Sequence, residues 1–390
     1  MALDRYSAEG AVGLRTEQEL HDWMEQAPAQ VSTAIAHRAV MRILPFAFIV
    51  DEPSDALDRQ LLGTLRATMT AGLAARMPSA VPEEVARKAA VMAGEMAELE
   101  IPRTGPVDLD AVDDTARAGA AYAAEAAAQS ILRGPKAARA AVTFAAQTAS
   151  AAAAGYDPAY FAVLEGAYAD AALPADKLAV APIKRPKMLA DMVDLYRTGR
   201  VSVFPGGVWR FWAAWFDGAV TGEPMSWYLQ RLVVNVPEKY WRNSPESVAR
   251  QIDEARARIE VISTVRCLEA VLAGERLSEV EDDEEPDDRE NVAASFAAVK
   301  LLKDPLDTIV KQTQSAQPQP FLVGKAVKKL SSVEIGVAHW MGKSMDPKAK
   351  EYAQAIGKAG GLATAHWLND QAEHLRAVIV ASKHWMRTLG

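Results

Sequence analysis

His366, Asp370 and His374 stand four residues apart in the stretch A-H-W-L-N-D-Q-A-E-H, with Glu373 beside the last of them. On an unbroken α-helix of ~3.6 residues per turn, such positions share one face. Two imidazoles and a carboxylate so placed could hold a divalent metal. The plainer reading is a solvated polar face of an amphipathic helix, and it is preferred because charged and polar residues recur at that spacing on exposed helices generally. A di-iron bundle needs paired E-x-x-H motifs on two helices, and the chain has none.

Other chemistry has less support. Cys267 is the single cysteine, so no internal disulfide forms and cysteine-based metal sites lack ligands. It sits among Val265, Leu268 and Val271 in a helical run, where burial is expected rather than activation. No G-x-S-x-G elbow is present, and G-K-S at 342–344 lacks the preceding glycine and strand of a phosphate-binding loop. Neither F-P-G-G nor K-A-G-G has dinucleotide-binding spacing. The chain therefore points to no catalytic residue and no cofactor.

Two of the histidines belong to a repeated phrase. Ala338-His339-Trp340 and Ala365-His366-Trp367 match, and Ser382-Lys383-His384-Trp385 is a looser copy, at spacings of 27 and 18 residues. Small amphipathic helices could each present one His-Trp pair. Residues 321–390 hold ten Lys and Arg against five Asp and Glu, a charge of +5 in a chain of net charge −8. Lysine with tryptophan on helices suits an anionic membrane surface, with tryptophan at headgroup depth. The alternative is that Trp340, Trp367 and Trp385 form an ordinary core. Nucleic acid is disfavoured, because the whole chain is acidic and carries no known binding motif.

The elements that must position these residues are helices. Half of the 390 residues are hydrophobic, mostly alanine, and aromatics make up 7%. That balance favours close-packed helices over sheets. Short helices are expected over Thr16–Ala27 and from Ser32 to Pro45, then a third over 57–77 with Leu57, Leu61, Leu65 and Met69 on one face. Pro82 opens another, followed by Glu83 and Glu84 where the helix dipole favours acid. Asp108–Leu132 and Pro135–Gly155 read as alanine-dominated helices parted by R-G-P. The uncharged run from Ala140 to Tyr156 is 17 residues, too short and weakly apolar for a membrane span. The start M-A-L-D-R-Y-S-A-E-G lacks the basic patch and apolar run of a signal peptide. A bacterial cytoplasmic location is expected, with peripheral membrane association as the alternative.

Five of the nine tryptophans fall between Trp209 and Trp241. Trp209, Trp212, Trp215 and Phe216 share a helical arc of roughly 120°, a packing or docking face to which Trp227 and Trp241 are added. V-S-V-F and R-L-V-V-N-V could be short strands. Ser244, Pro245 and Glu246 then start a long helix, with Val248, Ile252, Ala255, Ile259 and Ile262 as an apolar seam that ends before Gly274. The run E-V-E-D-D-E-E-P-D-D-R-E at 279–290 holds nine acids and one arginine, which reads as an exposed linker. Beyond it, helical pieces are expected at 291–303 and 305–314, a break at Q-P-Q-P, and helices from about 326 onward.

The pattern W-x-x-W-F-D-x-x-x-x-G-E-P-x-x-W, followed by V-P-E-K-Y-W-x-x-S-P-E-S-V, resembles one found in an uncharacterised family of alphaproteobacterial proteins. Phe216 stands where those have tyrosine, and Ser244 where they have glycine. The likeness covers residues 208–255 and implies a recurring module with no activity attached.

The expectation is a mainly α protein: an alanine-rich helical domain (1–180), a tryptophan-rich helical module with at most a few short strands (181–276), an acidic linker (277–290) and a basic helical tail domain (291–390). Function is expected to be non-catalytic interaction or assembly, through a protein partner or self-association. The alternatives are a membrane-active effector restrained by the acidic body, with residues 321–390 meeting the membrane, and a metal-dependent enzyme using His366, Asp370 and His374.

Overall fold

A computed structural model of the protein describes residues 14–48, 54–98, 107–153, 155–184, 187, 189, 191, 207–278, 286–315, 317–341, 353, 354, 356 and 361–389. Among them the chain is all α, with no strand. It divides into two compact units, Met1–Ile252 and Asp253–Gly390.

In the first unit, α1 (Glu17–Gln26) opens on a capping box: Thr16 accepts from the Glu19 N–H, and the Glu19 carboxylate accepts from that of Thr16. Helix α2 (Ala29–Ile43) passes into a 3-10 turn, Leu44–Phe48, at Pro45, which has no N–H to continue the ladder. Ser54 caps α3 (Asp55–Arg76), whose Leu57, Leu61, Leu65 and Met69 are all buried. Helix α4 (Glu83–Ala97) follows Pro82. The long α5 (Val107–Arg133) and α6 (Pro135–Ala152) are parted by Gly134 at φ 66°, and α7 (Asp157–Ala171) packs on α6. Alanine lets α5 and α6 approach closely: Ala120, Ala124 and Ala127 of α5, and Ala138, Ala141 and Ala145 of α6, are fully buried.

The tryptophan-rich stretch falls within this same unit. It folds as α8 (Arg210–Thr221), α9 (Trp227–Val234) and α10 (Glu238–Trp241). R-L-V-V-N-V is thus mainly helical. Leu229, Val233 and Val234 bury one face of α9, so the apolar pairs follow the helical period rather than strand alternation. V-S-V-F lies outside the described residues. Gly222 ends α8 in the left-handed region, φ 83°, and a Cβ there would meet the Pro182 ring at 2.7 Å. That close approach binds the G-E-P turn to the chain after α7.

Helix α11 (Pro245–Ser278) starts at the expected serine, whose hydroxyl accepts from the Ser247 N–H at 3.3 Å. The helix runs past Gly274, and its buried seam goes on through Val261, Val265, Leu268 and Leu272. Cys267 lies off that seam and is exposed, contrary to the expectation of burial. In the second unit, α12 (Pro286–Gln314), α13 (Pro320–Trp340), α14 (Gly361–Asp370) and α15 (Ala372–Thr388) enclose a core of Leu302, Leu306, Ile309, Val323, Leu330, Leu368, Val378 and Trp385. Residues 279–285 of the acidic run are outside the described set, and its remainder opens α12. Pro305 does not divide α12 as expected. The turn on either side of it buries Leu302, Leu306 and Ile309, which offsets the lost hydrogen bond.

Candidate functional site

Most tryptophans of the 209–241 stretch are core. Trp209, Trp212, Trp215, Phe216 and Trp241 are buried, and Trp227 is half-buried. Trp212 is the hub: its ring lies edge-on to Phe211 at 5.0 Å and to Trp215 at 5.9 Å, and 6.2 Å from Trp241. The indole N–H groups are satisfied inside, Trp215 by Gln230 at 3.2 Å and Trp241 by the Val236 carbonyl at 3.0 Å. Buried Arg66 of α3 stacks 4.8 Å over Trp241 and pairs with Glu238 at 2.8 Å. Arg242 joins Glu238 to Glu95 of α4. The enclosed rings, Trp227 apart, are spent on packing.

A second buried network fixes the chain after α7 on α2. Arg38 and Arg42 share Asp170, at 2.8 and 2.7 Å. Arg38 also donates to the carbonyls of Leu178, Ala181 and Pro182, and Arg42 to those of Gly166 and Lys184. Gly166 is needed here, since a Cβ would come within 2.4 Å of the Arg42 Nε. Burial pulls Arg38 below the ordinary guanidinium value, and Asp170 counters it. The Arg38 Nε–Asp170 contact at 2.8 Å is an ion pair. Arg42 Nη1 has no hydrogen-bond partner among the described residues. Two guanidiniums against one carboxylate leave a net positive charge inside the unit.

Beside this network lies a small cleft, lined by His37, Ile183, Trp215, Trp227 and Gln230, with about 20 Å³ of room for a water-sized group. His37 Nδ1 faces the Thr68 carbonyl at 3.0 Å, which puts the proton on Nδ1 and leaves the Nε2 lone pair bare. Burial pulls this imidazole down to about 4, so it is neutral at physiological pH. With His37 neutral, the cleft presents an acceptor beside room for a water-sized group.

In the second unit the alternative metal triplet, His366, Asp370 and His374, is split between two helices. Helix α14 ends at Asp370 and α15 begins at Ala372, with Gln371 at the break, so His366 and His374 belong to different helices. All three side chains are exposed, and among the described residues no group of three or more His, Cys, Asp or Glu could hold a metal ion. The three His-Trp copies are likewise unequal. Trp385 is fully buried, donates to Glu254 at 2.7 Å and lies under Arg258. Trp367 packs half-buried against the core, while Trp340 is 37% exposed with its N–H on the Ala353 carbonyl. The apolar period of each helix, not the shared phrase, decides which ring goes inside.

The outer side of the second unit carries a basic surface. Gly324 of α13 lies against the Met386 sulfur of α15, and Glu334 pairs with Arg376 at 2.9 Å. Those two contacts set the helices antiparallel, side by side. Val323, Val327 and Leu330 on one, and Leu375 and Ile379 on the other, face the same core. The opposite faces therefore form one surface, with Lys325, Lys328, Lys383 and Arg387 exposed and without an ion-pair partner among the described residues. Phe321 (77% exposed) and Val380 (57%) stand among them.

The basic surface was visible in sequence only as the charge of residues 321–390. The Arg38–Arg42–Asp170 network was missed altogether, although His37, Arg38 and Arg42 interrupt an otherwise apolar helix and so mark buried polar groups. No protein-family model, curated protein or solved structure matches the chain.

Proposed function

We propose that the protein works by non-covalent association, with the α13–α15 surface as its contact face for an anionic partner. The observation that carries this reading is the cluster of Lys325, Lys328, Lys383 and Arg387, none of them neutralised by an ion pair among the described residues. Like charges crowded on a folded surface repel one another, and an anionic partner turns that repulsion into attraction and a faster encounter. The sequence-based idea of a docking face made of tryptophan is withdrawn in favour of this one, because those rings are in the core. Catalysis has less to support it: Arg38, Arg42 and Arg66 are engaged on the unit's own chain, and the cleft at His37 has room for a water-sized group.

The test is retention of the full chain on an immobilised sulfated polymer, eluted with a salt gradient. Wild type is expected to be retained, and K328E/K383E to elute at clearly lower salt. Equal elution of the two proteins would remove the α13–α15 surface from the account.

A further inference from the structure

In the register set by the Gly324–Met386 and Glu334–Arg376 contacts, Lys328 and Lys383 fall at the same level of the antiparallel pair, with Lys325 and Arg387 beside them, and Phe321, Ile335 and Val380 are exposed on the same two helices. Helix α13 is 21 residues long, so the surface extends ~30 Å. We propose that the anionic partner is a lipid bilayer, met by α13 and α15 lying flat in the headgroup layer. This rests on the association reading above and narrows it to one occupant.

Charge and apolar exposure decide together. A charged protein or polymer answers the four cations but gives the Phe321 ring nothing better than water. A bilayer that holds anionic lipid answers both, with phosphate and carboxylate at the depth of the lysines and hydrocarbon just below for Phe321 and Val380. Lysine suits this position, since its aliphatic stem lies along the apolar surface while the ammonium reaches outward. Among the described residues no helix is long and apolar enough to cross a membrane, so contact of this kind stays at the surface. Beneath the surface Trp385 is held in the core by Glu254 and Arg258, so the two helices can bind as folded.

Each cation near an anionic leaflet strengthens binding about fivefold. K328E/K383E changes four charges and should lower partitioning at least ~100-fold, while F321A should lower it roughly tenfold through lost apolar contact.

The experiment is co-sedimentation of the full chain with phosphatidylcholine vesicles, with and without phosphatidylserine, at low and high salt. Expected is sedimentation with phosphatidylserine only, release by salt, loss in K328E/K383E and a marked reduction in F321A. All these positions are exposed, so both variants should keep the wild-type melting temperature. The sulfated polymer provides the control, because F321A should bind it as wild type does. If the chain is held by the polymer but stays in the supernatant with phosphatidylserine vesicles, the bilayer proposal is overturned and the anionic contact face stands. If neither holds it, both fall. Sedimentation that is unchanged in K328E/K383E also overturns the proposal, since lipid would then be binding elsewhere.

Discussion

Replacing Asp170 by asparagine tests whether the buried arginine network holds the first unit together. The carboxylate is 4% exposed and lies 2.8 Å from Arg38 Nε and 2.7 Å from Arg42 Nη2. D170N keeps the shape and removes the charge, so two guanidiniums remain buried with only carbonyl partners. Breaking a buried pair from one side costs about 3–5 kcal/mol, because an uncompensated charge is left behind. R42M removes the other kind of partner and leaves Arg38 and Asp170 as a neutral pair. Its cost is the orphaned carbonyls of Gly166 and Lys184, about 1–3 kcal/mol. The structure thus predicts an order: D170N is destabilised more than R42M, although both remove one member of the same network. Urea unfolding monitored by tryptophan fluorescence would measure it, since Trp209, Trp212, Trp215 and Trp241 share the unit. If D170N unfolds at the wild-type midpoint, or R42M is the weaker variant, the electrostatic reasoning is wrong.

Three further outcomes are expected. W212A should cost about 3–5 kcal/mol, because three aromatic neighbours lose their contact at once, and an unchanged melting temperature would deny Trp212 its central place. W385A should destabilise the second unit by a similar ~3–5 kcal/mol and leave D170N-type unfolding of the first unit unaltered, which differential scanning calorimetry of the single and double variants would resolve. His37 should make stability pH-dependent: its folded-state value of about 4 lies below the unfolded value of 6.5, so the native state resists a proton the unfolded state accepts. The contribution is complete above pH ~6.5 and is lost as pH falls toward ~4, by about 3 kcal/mol at ~1.4 kcal/mol per unit. Comparison with H37N should show the wild-type midpoint falling more steeply across that window, and parallel curves would count against a neutral His37.

The helices of the first unit were legible because their signals are local. Caps such as Thr16 and Ser54, prolines at first turns and the four-residue spacing of Leu57, Leu61 and Leu65 act within one or two turns. The burial of Trp209, Trp212 and Phe216 followed from the same periodicity. What could not be read was pairing across distance: nothing local links Arg38 to Asp170 or Arg66 to Glu238. The alternative metal triplet relied on a spacing that holds only along one unbroken helix, and the break at Gln371 interrupts it. Pro305 was read as a stop because propensity is a local prior, and burial of the flanking leucines overrode it.

The most direct measurement for the contact face is lysine footprinting of the full chain, with and without a saturating soluble sulfated polymer. An amine-reactive reagent labels exposed lysines in both units, and mass spectrometry reads each site. Lys325, Lys328 and Lys383 should become protected, while Lys88 and Lys177, exposed in the first unit, stay reactive. Protection spread evenly over both units, or confined to the first, would contradict the assignment of the α13–α15 surface.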